Sequence, residues 1–140
     1  MKVFDLMTDQ VECVTPETSL ESVAKLMAKD DVGSIPVCQD NKIVGLITDR
    51  DIVIRGIAKG HNPVNMKTKD YMSTDIVSVS PDTDVHEAAR KMAQVQVKRL
   101  PVVSNGQLIG IVALGDLATE KMYVDEAGEA LSGISQGIQH

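Results

Sequence analysis

The hydrophobic positions of this chain follow two alternating periods. Residues 11–14 and 76–79 are short β-rich runs, and each is followed by a Pro-x-Thr turn and an apolar stripe with helical spacing. The stripes recur at i, i+3, i+4 and i+7 and predict two helices: Leu20, Val23, Ala24 and Met27, then Val85, Ala88, Ala89 and Met92. Thr18 and Glu21 have the Thr-x-x-Glu spacing of a capping box, so the first helix is expected to begin there.

Each predicted helix is followed by two strands joined by a tight turn. Residues 34–38 lead into 42–47 through Asp40-Asn41, and residues 99–103 lead into 107–112 through Asn105-Gly106. Pro36 and Pro101 cannot donate to a sheet ladder, so their strands are expected to begin or edge the sheet. A second helix is predicted to start near Thr48 in the first half and near Leu114 in the second.

The two halves are copies of one unit. An ungapped shift of 65 residues places 13 identical residues in the 47 positions from Asp5 to Asp51, against about three expected by chance. The order β-α-β-β-α, read twice, predicts an α/β (α+β) fold with parallel crossovers, and two small copies are expected to pack around a pseudo-twofold axis. We place the copies at residues 1–60 and 67–124, with a linker at 56–66 and a tail at 125–140.

Composition and charge exclude several classes of function. The chain has no Trp, two Tyr, one Phe and a net charge of −6, which disfavours base stacking and binding to phosphate backbones, so no nucleic acid partner is expected. It has no 18-residue apolar run and no secretory signal pattern, so we expect no membrane association and a cytoplasmic location. No hydrolase, nucleotide-hydrolysing or metalloprotease motif occurs, and no catalytic residue is assigned.

The cysteines and histidines predict no metal site. His61, His86 and His140 are scattered, and none has a Cys or His at ligand spacing, so each is interpreted as a surface residue. Cys13 and Cys38 are expected on neighbouring strands, because a β-α-β crossover normally sets its two strands side by side. That proximity would permit a disulfide. The alternative, favoured for a cytosolic chain, is a pair of reduced, buried thiols.

The segment from Gly45 to Asp51 is the candidate functional motif. An apolar strand ends there and a helix begins, with Thr48 and Asp51 three residues apart. The two residues are either a helix cap, or, together with Arg50, a site at which amides and the hydroxyl hold a phosphate while the carboxylate accepts ribose hydroxyls. Lys98 and Arg99 are further candidate phosphate partners, against the alternative of a solvated basic pair at a helix end.

Together these motifs resemble the CBS domain. The resemblance rests on Gly-h-h-Thr-x-x-Asp after a hairpin, the preceding Ile35-Pro36-Val37, and the Val-Thr-Pro-x-Thr start of the copy, and it covers about residues 1–120. Paired CBS domains form a Bateman module. The chain is most similar to stand-alone bacterial CBS-pair proteins, some of them linked to stress responses.

The resemblance implies a regulatory sensor without catalysis or catalytic cofactor. Its ligand would be an adenosine-containing molecule such as AMP, ADP, ATP, S-adenosylmethionine or NAD, bound in clefts between the two copies. By position, Asp51 would hold the ribose and Thr48 the ribose or phosphate, with the adenine beside Val14, Thr15, Ile35, Pro36 and Val37.

The second copy departs from the motif, because Ala113 replaces the hydroxyl residue while Asp116 is retained. We therefore expect its site to be weak or empty. A homodimer and an unidentified downstream protein are the expected partners. The alternative function is a ligand-independent interaction module or a redox-responsive stress protein in which Thr48 and Asp51 are only caps.

Overall fold

The computed structural model describes residues 1–118 and Ile134, and the tail at 125–140 otherwise lies outside them. The chain forms two compact units. The first unit is Glu12–Ile76. The second unit combines Met1–Val11 with the described residues from Val77 onward. The units therefore do not coincide with the copies in sequence order, since the N-terminal residues pack with the second copy.

Each unit contains helices and an antiparallel hairpin. The first unit has helix α2 (Leu20–Asp30), strands β1 (Ser34–Gln39) and β2 (Lys42–Thr48), a π-helical segment Asp51–Gly56 and 3₁₀ turns Ile57–Lys59 and Thr68–Asp70. The second unit has α1 (Val3–Leu6), α3 (Val85–Val95), β3 (Arg99–Ser104), β4 (Gln107–Ala113) and α4 (Leu114–Ala118). The predicted α/β (α+β) class is confirmed, and each copy has the predicted succession of a helix, two strands and a helical segment.

The turn residues determine the register of both hairpins. Asp40 and Asn41 have φ of 53° and 67°, and Asn105 and Gly106 have φ of 54° and 79°. Two consecutive positive φ angles define the turn whose twist matches a two-residue hairpin. Each hairpin also contains a bulge in its first strand, after Val37 and after Val102.

The strands predicted at 11–14 and 76–79 shrink to single parallel bridges, Val14 with Val37 and Val79 with Val102. The amide of Val14 donates to the Pro36 carbonyl at 3.0 Å, and the amide of Cys38 donates to the Val14 carbonyl at 2.8 Å. A longer parallel ladder would need the next donor from Pro36, which has none. The proline thus ends the ladder after one bridge, and β1 pairs fully with one strand only, as predicted.

The start of α2 differs from the prediction at Thr18. The cap is Ser19, whose Oγ accepts from the Ser22 amide at 3.2 Å. Thr18 Oγ1 instead accepts from the Thr15 amide at 3.1 Å and closes the turn before the helix. The predicted box of Thr18 with Glu21 was wrong because this earlier turn already occupies the Thr18 hydroxyl.

The predicted stripes form the two cores, with one exception. Leu20, Val23 and Met27 are buried in the first unit, and all four stripe residues of α3 are buried in the second. Ala24 is exposed, whereas its counterpart Ala89 is buried. The core around Ala89 includes Val3 and Ile134, which come from outside the second copy.

Equivalent segments complete the two units. The amides of Ser73 and Leu46 exchange hydrogen bonds with each other's carbonyl at 2.8 and 2.9 Å in the first unit. Thr8 lies 65 residues before Ser73, and Ile111 lies 65 residues after Leu46. These two residues exchange backbone bonds of 2.8 and 2.9 Å in the second unit. Residues 1–8 therefore pair with the second hairpin as residues 66–73 pair with the first. This explains why the N-terminal residues belong to the second unit.

Candidate functional site

The predicted motif of the first unit forms a reciprocal cap. The Thr48 amide donates to Asp51 Oδ2 at 3.0 Å, and the Asp51 amide donates to Thr48 Oγ1 at 3.1 Å. This is the geometry of a capping box, because each side chain satisfies a backbone donor that the start of a helix leaves unpaired. The helix predicted near Thr48 does begin there, and it continues as the π-helical segment.

One basic side chain, that of Arg55, lies close to the Asp51 carboxylate. Arg55 Nη1 is 3.8 Å from Asp51 Oδ1 and donates to the Tyr71 carbonyl at 2.8 Å. The side chain of Asp51 is 19% exposed, so one oxygen is engaged with the backbone while the carboxylate remains accessible. Arg50 is exposed at the same helix start, and its amide donates to Asp49. The sequence analysis missed Arg55, whose signal was its i,i+4 spacing from Asp51.

The residues expected around the adenine lie on adjacent strands of the first unit. Ile35 pairs with Ile47, and Val14 bridges Val37. The side chains of Val14, Ile35 and Val37 belong to the buried core. Their side chains are therefore committed to packing.

Polar residues and a proline lie in or next to these strands. Thr15 is exposed, and its Oγ1 lies 3.1 Å from that of Thr18. Ser34 pairs with Thr48, so β1 comes beside the capped motif at its first residue. Pro36 is buried and turns its carbonyl to Val14. The Thr15 hydroxyl is therefore the exposed polar group among the residues expected around the adenine.

The second unit has half of the cap. Asp116 Oδ2 accepts from the Ala113 amide at 2.9 Å, but Ala113 has no hydroxyl with which to accept in return. Arg99 pairs with Ala113 across the β3–β4 hairpin, and the Lys98 carbonyl accepts from Leu114 at 2.8 Å. Lys98 and Arg99 thus lie beside the second motif within their own unit.

Cys13 and Cys38 flank the Val14–Val37 bridge of the first unit, although the run that contains Cys13 forms this single bridge rather than the expected strand. Cys38 is 8% exposed, whereas Cys13 is exposed, so the expected pair of buried thiols was wrong for Cys13. Both thiols are free. Burial, and then the adjacent Cys13 thiol, raise the pKa of the Cys38 thiol from 9.0 to about 12.

The histidines and acidic residues make no metal centre among the residues that the structure describes, because no three His, Cys, Asp or Glu side chains cluster there. His61 is tethered, with Nδ1 2.7 Å from the Tyr71 hydroxyl. In the same part of the chain, no helix has the length and apolar character needed to span a membrane.

The fold and the motif define a two-copy α/β repeat protein in which each hairpin leads into a helix start capped by an aspartate. The chain belongs to the CBS domain family, whose sequence model matches residues 3–56 and 69–123. CBS domain proteins are generally regulatory modules, and no catalytic family is indicated.

Individual relatives agree with this assignment. The chain is 43% identical over 138 residues to the CBS domain-containing protein YhcV of Bacillus subtilis, covering 99% of this chain and 98% of that protein. It is 36% identical over 115 residues to Hypoxic response protein 1 of Mycobacterium tuberculosis, covering 81% and 80%. The crystal structure of Hypoxic Response Protein I with two coordinated zinc ions has a TM-score of 0.79 and 34% identity, covering 86% and 98%.

Proposed function

We propose that this chain is a sensor that binds an adenosine-containing ligand at the Thr48–Asp51 motif and performs no catalysis. The observation that supports the proposal is the partly exposed Asp51 carboxylate, held at a helix start with Arg55 3.8 Å away. Arg50 is exposed at the same helix start. A carboxylate accepts from the two hydroxyls of a ribose, and basic side chains bind phosphate.

The cap and the ligand site are compatible at Thr48. A hydroxyl has one donor hydrogen and two acceptor positions. Thr48 Oγ1 uses one acceptor position for the Asp51 amide. Its hydrogen remains available to a ribose or phosphate oxygen, so capping prepares the hydroxyl rather than consuming it.

Arg50 and Arg55 are the proposed phosphate partners of the first motif. Arg55 is already 3.8 Å from Asp51 Oδ1, and a bound nucleotide would share the guanidinium between that carboxylate and a phosphate. Lys98 and Arg99 would act at the second motif, where they adjoin Ala113. The missing hydroxyl at Ala113 makes that site the weaker one.

Signalling would follow from differential affinity. A ligand shifts an equilibrium between two conformations only by its preference for one of them. A downstream protein of the cytosol would recognise the ligand-bound conformation of this chain, or the second chain of a homodimer would respond to it.

A thermal-shift assay with AMP, ADP, ATP, S-adenosylmethionine and NAD tests the proposal. At 100 times its dissociation constant a ligand stabilises the folded protein by about 2.7 kcal/mol, which raises Tm by several degrees. The expected result is such a shift with at least one adenosine ligand and none with matched pyrimidine nucleotides. Equal Tm values throughout would contradict the proposal.

A ligand-independent interaction module or redox-responsive stress protein is the second candidate. It is favoured by the closed Thr48–Asp51 cap, which satisfies its own donors without any ligand. The similarity to Hypoxic response protein 1 also favours a role in stress. In that case no adenosine ligand would raise Tm, and the module would respond to its protein partner or to oxidation.

A homodimer is proposed from exposed apolar residues of the first unit. Val53, Ile54 and Ile57 are each about half exposed on consecutive turns after β2. Twofold pairing buries such a patch against its own copy.

A further inference from the structure

Two cysteines lie close together where the chain enters the first unit. Val14 and Val37 form a parallel bridge, with Cys13 immediately before one partner and Cys38 immediately after the other. The Cys38 amide donates to the Val14 carbonyl at 2.8 Å. The two side chains are close enough for the Cys13 thiol to raise the pKa of the Cys38 thiol.

The backbone of the segment that contains Cys13 has a short attachment to β1. Among the residues that the structure describes, the bonds of Val14 with Pro36 and Cys38 connect the two backbones, and Pro36 has no amide hydrogen with which to extend the ladder. A covalent bond at this point would therefore restrain a segment that a single bridge now holds.

The fold itself does not require these thiols. Ser78 and Val103 occupy the equivalent positions of the second copy. The same bridge forms there between Val79 and Val102, with a Val103 amide bond of 2.9 Å to Val79. The cysteines of the first copy thus add a chemistry that the repeat does not need for folding.

The two thiols differ in exposure, which gives them different roles in forming a disulfide. Cys13 is exposed and can meet an oxidant, while Cys38 is buried beneath it. Burial and the Cys13 thiol raise the pKa of Cys38, so Cys38 is not the first nucleophile at neutral pH. Cys13 attacks first and Cys38 resolves.

We propose that Cys13 and Cys38 form a reversible disulfide that fixes the segment before α2 to β1. The oxidant is a low-molecular-weight disulfide such as oxidised glutathione. The Cys13 thiolate attacks one sulfur of the oxidant, breaks its S–S bond and releases one thiolate, which takes up a proton. Cys38 then gives up its proton and attacks Cys13 Sγ, releasing the second thiol. Two electrons pass from the protein to the oxidant, which becomes two thiols.

Oxidation would also affect the ligand site, a consequence that rests on the proposed function. Val14 and Thr15 follow Cys13 directly, and Val14 binds the β1 backbone at Pro36. If Val14 and Thr15 are fixed before binding, they lose less conformational freedom when the ligand binds. The oxidised protein is therefore expected to bind its adenosine ligand about threefold or more tightly than the reduced protein.

The test is intact mass together with hydrogen exchange of the full chain after equilibration with oxidised or reduced glutathione. Matched controls are Cys13→Ser and Cys38→Val, which install the residues of the second copy at the same positions. Oxidised wild type should be two hydrogens lighter than the reduced protein. Its Val14 and Cys38 amides should exchange at least about tenfold more slowly. Cys38→Val should instead retain glutathione on Cys13, and Cys13→Ser should be unchanged.

A persistent glutathione adduct on wild-type Cys13, two unreacted thiols, or a disulfide without slower exchange would overturn the proposal. Exchange elsewhere in the chain verifies that each variant is folded. Calorimetric titration of the best adenosine ligand into oxidised and reduced protein measures the effect on the site. If neither form binds any such ligand, the proposed function fails while the mass and exchange results still decide the thiol proposal.

Discussion

Thr48 and Asp51 cap each other, because the amide of each residue donates to a side-chain oxygen of the other, at 3.0 and 3.1 Å. In the second copy only the bond from Ala113 to Asp116 remains, at 2.9 Å. The protein thus contains a whole box and a half box in equivalent positions, and each serves as a control for the other.

Thr48→Ala converts the whole box into the half box. We expect it to lower the free energy of unfolding by about 0.5–2 kcal/mol through loss of the cap. Ligand affinity should fall roughly ten- to a hundredfold, because a hydrogen bond to a charged group is lost. Urea unfolding and calorimetry measure the two effects. Thr48→Ser should preserve both the stability and the affinity. If Thr48→Ala loses stability but keeps its affinity, Thr48 acts only as a cap.

Gly45→Ala should destabilise the first unit. A Cβ at Gly45 would lie 2.8 Å from Met72 Sδ and 2.9 Å from the Ser73 carbonyl, and the backbone contact cannot be relieved by a rotamer change. The expected cost is about 1–3 kcal/mol in urea unfolding. Gly115→Ala is the control, because nothing lies within 4 Å of its Cβ position. Equal stability of the two variants would contradict the packing described for Met72.

Stability should depend on the Cys38 thiol at high pH. Its pKa is raised from 9.0 to about 12 by burial and by Cys13, so the folded state binds the proton more tightly than the unfolded state. This contribution is fully present below pH 9 and is lost as the pH rises towards 12. Under reducing conditions Cys38→Val should flatten the fall in unfolding free energy over that interval. Parallel curves for the variant and wild type would refute the assigned burial.

Ile57→Asp should weaken the proposed homodimer. Ile57 is 51% exposed beside Val53 and Ile54, so a charge there is tolerated in a monomer but costly in an apolar interface. Sedimentation at micromolar concentration should show a dimer for wild type and a lighter species for the variant. Val64→Asp, at an exposed position between the copies, should remain dimeric. A monomeric wild type would exclude the homodimer.

Local patterns predicted most of the fold because its elements depend on local chemistry. Asp40-Asn41 and Asn105-Gly106 accept positive φ, so the hairpins could be placed from sequence. The cap of α2 could not, because two adjacent hydroxyl residues compete there and the turn at Thr15 decides which one caps. The exchange of Met1–Val11 into the second unit depends on contacts distant in sequence.

The candidate site was predicted only as far as its motif. Thr48 and Asp51 were identified by spacing, and the repeat gave that spacing weight. The burial of Val14, Ile35 and Val37 in the core was not anticipated, because a strand pattern does not tell which groups remain for a ligand. Arg55 required knowledge of how the helix continues beyond Asp51.

Calorimetric titration of the best adenosine ligand into wild type, Asp51→Ala and Asp116→Ala tests the central claim most directly. Both variants lose one backbone bond at a helix start, from Thr48 or from Ala113, so circular dichroism and urea unfolding must show that both remain folded. The account predicts that Asp51→Ala abolishes most of the binding while Asp116→Ala leaves the tight site nearly intact. Equal losses in the two folded variants, or no binding of any adenosine ligand by folded wild type, would contradict it.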